Sequence, residues 1–209
     1  MRFKKIVVTS LFLFVTCSFF SQNGWIAGEI FLKDGASYKG LLKISKVSKD
    51  LIAIGGDKVV RFKPAKKGKK KKYRQPEIDH IILNEKGGFY NGFYEYVKVS
   101  EERRELFRAV INGKAILYQR NVNMTSSSGG ANGMMMTSSY EVSEYYVLRE
   151  GETLAMPLIT ARISKSFKHR ASNFFSDCPV LVSKIQDRTY RKKDIEKVVQ
   201  DYNNCGEAK

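Results

Sequence analysis

Histidine occurs twice, tryptophan once, cysteine three times and proline four times in 209 residues. Two histidines rule out a histidine-rich metal centre and starve any scheme that needs an imidazole base beside a nucleophile. Three cysteines are too few for a disulfide-dense scaffold. Acid is scarce as well: 21 Asp and Glu against 37 Lys and Arg leave a net charge of +16. The sequence has no GxSxG, no HExxH, no phosphate-cradling GxxxxGK[ST] and no GxGxxG after a strand. No catalytic residue, cofactor or metal site is therefore assigned, and the chain reads as a non-enzyme. What is present suffices for a core, since 43% of residues are hydrophobic and 12% aromatic.

The start of the chain sets the compartment. Met1 to Lys5 is short and cationic, and Ile6 to Phe20 is apolar and uncharged. This is the pattern of a secretory signal peptide, assigned to residues 1–21, with the mature chain beginning near Gln22. The run is short for a membrane span, which takes about 20 residues. Cys17 invites a lipoprotein reading, but Phe14, Val15 and Thr16 before it and Phe19 and Phe20 after it are unsuited to lipidation. Removing Arg2, Lys4 and Lys5 with the leader leaves +13. The expected location is beyond the inner membrane, in the periplasm or at the periphery of the outer membrane.

Residues 22–160 read as β-rich. Apolar and polar residues alternate from Ile26 to Leu32, and Asp34-Gly35 supplies a two-residue hairpin turn before Tyr38 to Ile44. Gly55-Gly56-Asp57, Asn112-Gly113 and Glu150-Gly151 separate further short strands. The expected fold class is α+β, with an antiparallel β-barrel or sandwich of about eight strands followed by a C-terminal helical segment. Two stretches are poor in apolar residues and are expected as mobile loops: the basic 63–76 and the Ser-, Gly- and Met-rich 121–141. From 161 to 209 the period becomes helical, as in Ile195, Val198, Val199 and Tyr202. Asp177 with Cys178-Pro179 marks one helix start, and the last helix begins near Asp194. An antiparallel helix pair brings Cys178 and Cys205 to one end, so in an oxidising envelope a disulfide is expected.

Ile78 to Leu83, Asn112-Gly113-Lys114, Leu117-Tyr118, Tyr145-Tyr146, Phe174 to Leu181, Asp194-Ile195 and Tyr202 to Cys205, with Ser21-Gln22 after an aromatic-rich leader, resemble uncharacterised secreted or periplasmic proteins of Bacteroidota. The resemblance implies an envelope location and carries no activity.

The leading site candidate is the basic run. Lys63, Lys66, Lys67, Lys69, Lys70, Lys71, Lys72 and Arg74 contribute eight positive charges without an acid. Such a field attracts phosphate, sulfate or carboxylate arrays. The partners considered are an anionic membrane surface, lipopolysaccharide, an acidic polysaccharide or an envelope protein. Nucleic acid is disfavoured by export. A second candidate is a stacking surface of Tyr90, Tyr94 and Tyr96 in an aromatic-rich strand. The alternative to a binding or assembly module is a small carbohydrate-active enzyme using paired carboxylates among Glu29, Asp79 and Glu95.

Overall fold

A computed structural model describes residues 24–44, 47–48, 59–84, 91–129, 135–161 and 166–206. Residues 1–23, where a signal peptide is expected, residues 51–58 with Gly55-Gly56-Asp57, and Tyr90 lie outside the described residues. Ten strands follow one another antiparallel: β1 (Ile26–Leu32), β2 (Ser37–Ile44), β4 (Val59–Lys63), β5 (Lys71–Arg74), β6 (Ile78–Leu83), β7 (Gly92–Ser100), β8 (Arg103–Ile111), β9 (Ala115–Gly129), β10 (Met135–Arg149) and β11 (Met156–Ile159). Their order across the sheet is β11-β10-β9-β8-β7-β6-β1-β2-β4-β5. An eleventh, β3 (Val47–Ser48), pairs in parallel with β9 off that path.

The sheet is open, which corrects the barrel or sandwich expected from the sequence. It coils far, however. Val47 follows Ile44 by three residues, a reach of at most about 11 Å. In a flat sheet five strand spacings of about 4.8 Å would put β9 roughly 24 Å from β2. The sheet must curl to bring β9 back to Val47. Closure fails because the bridge spans two residues and both ends of the sheet run on past it, into β4-β5 and β10-β11. Gly28 and Gly40, directly opposite each other, permit the curl. A Cβ on Gly28 would lie 2.4 Å from the Ile82 carbonyl oxygen, and one on Gly40 2.3 Å from that of Lys63.

The stretches expected as loops hold strands. The basic segment 63–76 forms the turn and second arm of the β4-β5 hairpin, because Tyr73 is buried and anchors β5. Segment 121–141 lies largely in the long β9-β10 hairpin, in continuous register from Ala115↔Arg149 to Gly129↔Met135. Backbone pairing continues there without an apolar pattern to announce it.

On its inner face the curled half of the sheet buries Ile30, Leu42, Val60, Phe62, Tyr73, Ile81 and Tyr94. Where β8 parts from β9 after Gln119, Arg120 is buried between two acids. Its Nε donates to Glu144 Oε2 at 2.9 Å, Nη1 donates to Glu105, and the guanidinium lies 5.0 Å from the Phe107 ring centroid. Glu144 Oε1 also accepts from the Ala161 amide at 3.0 Å, tying the chain beyond β11 to the sheet.

Three helices, α1 (Phe167–Phe174), α2 (Pro179–Gln186) and α3 (Ile195–Asn203), close the other half, packing Phe174, Phe175, Leu181, Val198 and Tyr202 on Leu117, Val147 and Leu158. Cys178 caps α2, Pro179 follows at its first position, and a disulfide joins Cys178 to Cys205 just beyond α3. Asn203 reaches back to the β8-β9 turn: its Oδ1 accepts from the Ala115 amide at 2.7 Å and its Nδ2 donates to the Ala115 carbonyl at 3.0 Å. Gly113 leaves room for this, since a Cβ would meet Asn203 Nδ2 at 2.5 Å. Asp177 is the polar hinge of the docking. It accepts from Tyr202 Oη at 2.7 Å and from Lys114 Nζ at 3.2 Å, and it pairs with Arg149 at 3.2 Å. Burial favours its neutral form, but the bonds from Tyr202 and Lys114 and the Arg149 charge outweigh that and hold its carboxyl below the usual range.

Two measurements check this docking. The disulfide closes a loop across a sequence separation of 27. Replacing Cys178 and Cys205 with serine should therefore lower the free energy of urea unfolding by about 3.5 kcal/mol on the chain-entropy estimate. A carboxyl with a depressed folded pKa contributes stability above its unfolded value of about 3.9 and loses it as pH falls through the lower folded value. The Asp177→Asn protein should melt below wild type at pH 7, and the gap should close as the pH falls towards 2.

Candidate anion-binding surface

Alternation fixes which cations share a face. On β4, Val60 and Phe62 point into the core, so Arg61 and Lys63 point out; on β5, Tyr73 points in and Lys72 and Arg74 out; on β2, Leu42 points in and Lys39 and Lys43 out. The register then aligns them. Lys43 is directly opposite Arg61, and Arg61 directly opposite Lys72, so one row across three strands is entirely cationic. Directly opposed residues have Cβ atoms about 5 Å apart, and like charges there repel. Lys63 and Arg74 flank the row on the same face. Among the described residues no carboxylate forms an ion pair with Arg61, Lys63 or Lys72. Glu29, opposite Lys39, instead accepts from Ser37 Oγ at 3.0 Å.

Ring burial holds this face rigid. Tyr73 stacks on Tyr38 with centroids 5.9 Å apart and meets Phe62 edge-on at 6.2 Å. Lys71, on the inner side of β5, is set 4.7 Å from the Tyr73 ring centroid and 5.3 Å from that of Tyr38. Lys63 Nζ lies 4.3 Å from the ring centroid of half-buried Trp25. Lys66 and Lys67 occupy the corners of a turn closed by the Gly68 amide donating to the Ala65 carbonyl at 2.9 Å, and Lys69 and Lys70 are exposed between turn and strand.

Of the eight cations expected from the sequence, Lys63, Lys72 and Arg74 share the outer face, Lys71 lies on the ring side, and Lys66, Lys67, Lys69 and Lys70 project at the hairpin end. Lys39, Lys43 and Arg61 were missed by sequence reasoning. Their odd-numbered spacing along β2 and β4 was visible, but the register that joins them to Lys72 was not.

The stacking surface is corrected. Tyr94 is 8% exposed and packs in the core, and Tyr96 packs against the same cluster, where burial pushes its hydroxyl up to about 12. The ring on the outer face is Phe93. It stacks with His80 at 4.9 Å, and His80 stacks with Phe31 at 4.2 Å. These rings face one another across strands, so the middle one offers no face to a ligand. The carboxylates named for catalysis have separate partners: Asp79 pairs with His80 Nδ1 at 2.8 Å, and Glu95 accepts from Tyr118 Oη at 2.6 Å, which with burial raises the Tyr118 pKa. Among the described residues no group of three or more His, Cys, Asp or Glu side chains could hold a metal ion, and no helix is long and apolar enough to cross a membrane.

Comparison with protein families, curated proteins and solved structures finds no match to this chain.

The rigid-face account is checked at Tyr73, whose ring is buried against Tyr38 and Phe62. Tyr73→Phe keeps the ring and should change the unfolding free energy by no more than about 1.5 kcal/mol, the net worth of a single hydrogen bond. Tyr73→Ala should cost about 3–5 kcal/mol, as large core truncations do.

Proposed function

We propose that this chain is an exported, non-catalytic module of the cell envelope that attaches to anionic surfaces through the outer face of β2, β4 and β5. The single observation that carries the reading is the opposed pair Arg61 and Lys72. Two cations side by side repel in isolation, and an array of phosphates or carboxylates laid across the strands relieves that repulsion. Lipopolysaccharide phosphates, anionic lipid headgroups and acidic polysaccharides all present such arrays. The lysines of the hairpin end extend the field, and Trp25 beside Lys63 has the amphipathic ring suited to a headgroup layer. The export signal read at 1–21 supports an envelope setting and separates the protein from nucleic acid, which the same charge would otherwise attract. The resemblance to secreted Bacteroidota proteins points the same way.

Each cation at an anionic membrane is worth about 1 kcal/mol, so Arg61→Ser with Lys72→Ser should weaken vesicle retention about 30-fold. The assay is co-sedimentation of the protein with vesicles carrying lipopolysaccharide or phosphatidylglycerol, against neutral phosphatidylcholine vesicles. Wild-type retention should fall as salt shortens the screening length from about 10 Å at 0.1 M to about 3 Å at 1 M. Equal retention on neutral vesicles, or none on anionic ones at low salt, would overturn the reading.

A further inference from the structure

The Ser-, Gly- and Met-rich hairpin has a feature that anion binding does not use. From Asn123 to Tyr140 there is no charged side chain, in a chain of which 28% of residues are charged. Along this stretch β10 pairs, among the described residues, with β9 on one side only, because β11 begins to pair with it at Tyr145. Natural sheets guard open edges with charge, proline or a covering group. The two end strands of the sheet are guarded, whereas β9 beyond Asn123 has, like β10, an uncharged outer edge. β5 carries Lys71, Lys72 and Arg74, while β11 contains Pro157 and its Leu158 carbonyl accepts from Arg170 Nε at 2.8 Å. The β10 edge from Met136 to Val142 has none of these devices before Glu141. A two-stranded ribbon in water is also marginal by itself. This one exposes two large side chains on one face, Met136 at 71% and Tyr140 at 52%.

We propose that β10 from Met136 to Val142 pairs antiparallel with the same segment of a second copy of this chain, joining two sheets across a twofold axis. With the axis at Ser139, Met136 lies opposite Val142 of the second copy and Ser138 opposite its Tyr140. The exposed apolar groups then meet on one face, and no two like charges are opposed, since Thr137 faces Glu141. Electrostatics favours the ribbon over the cationic end of the sheet, and the exposed Met136 and Tyr140 favour its β10 edge. The molecule is strongly cationic, and the cationic strands β2, β4 and β5 lie at the other end of the strand order from β10. The neutral ribbon is where two copies approach with least repulsion.

The test is sedimentation velocity on protein expressed from the full chain with its disulfide intact, at low and high salt. The expected result is a two-copy species whose fraction rises with salt, as screening weakens the repulsion between copies. This is the opposite salt trend from vesicle retention, so the two proposals fail independently. Ser138→Lys with Ser139→Lys, both at exposed positions and neither opposite an acid, should give single copies with unchanged circular dichroism and thermal midpoint. Ser139→Cys should form a covalent dimer on oxidation. Wild-type protein that stays a single copy at high micromolar concentration and high salt would overturn the proposal. So would a dimer that survives the paired lysines, or a Ser139→Cys protein that does not cross-link.

Discussion

The cationic end of the sheet stands on a contest between ring burial and charge repulsion. Phe62 and Tyr73 are pulled into the core from one side of β4 and β5, and that fixes Arg61 and Lys72 side by side on the other. Burying an aromatic ring contributes about 2–3 kcal/mol, whereas a pair of opposed surface cations costs a few tenths to about 1 kcal/mol. Burial wins, and the repulsion is retained as a standing property of the outer face. Ordinary surfaces dilute like charges with acids; among the described residues no carboxylate pairs with Arg61 or Lys72, and Glu29, opposite Lys39, accepts from Ser37.

The same logic of two faces runs through the rest of the fold. The sheet curls because paired glycines at 28 and 40 let neighbouring strands approach, and the curl allows one face to form its own core. The half formed by β9, β10 and β11 is covered by three helices, whose seat depends on Arg149, Asp177 and Tyr202 as well as on apolar packing. Asp177 meets groups from α3, from the β8-β9 turn and from β10, so a single carboxylate reports on the docking of the whole cap. The disulfide, through Cys178 beside Asp177 and Cys205 beyond α3, fixes the same end of the unit.

Legibility in the sequence followed the range of the signal. Asp34-Gly35, Asn112-Gly113 and Glu150-Gly151 marked hairpins that form, because turn chemistry is local, although the first connection holds three residues, Lys33-Asp34-Gly35, rather than two, and the last is longer. The helix start at Pro179 and the bridge between Cys178 and Cys205 were legible for the same reason. β5 was hidden because one buried ring, Tyr73, among lysines gives no visible period. The outer half of the β9-β10 hairpin was hidden because serine and threonine have little hydrophobic contrast, although backbone pairing runs the full length. Openness of the sheet depends on how far it coils, which no short window encodes. At the candidate surface the basic run itself was plain, while the contribution of Lys39, Lys43 and Arg61 required the register between β2, β4 and β5. In the aromatic strand alternation was visible, but which parity is buried was not, and the choice of Tyr94 and Tyr96 over Phe93 fell on the wrong side.

The central claim is that Arg61 and Lys72, side by side on β4 and β5, repel each other until an anion covers them. Thermal melting of wild type and Lys72→Gln, at low salt with and without inorganic polyphosphate, tests it most directly. The account predicts that Lys72→Gln melts at or above wild type without the anion, and that polyphosphate raises the wild-type midpoint by more than it raises the variant's. A variant that melts well below wild type in the absence of anion, or gains as much from polyphosphate, would contradict it.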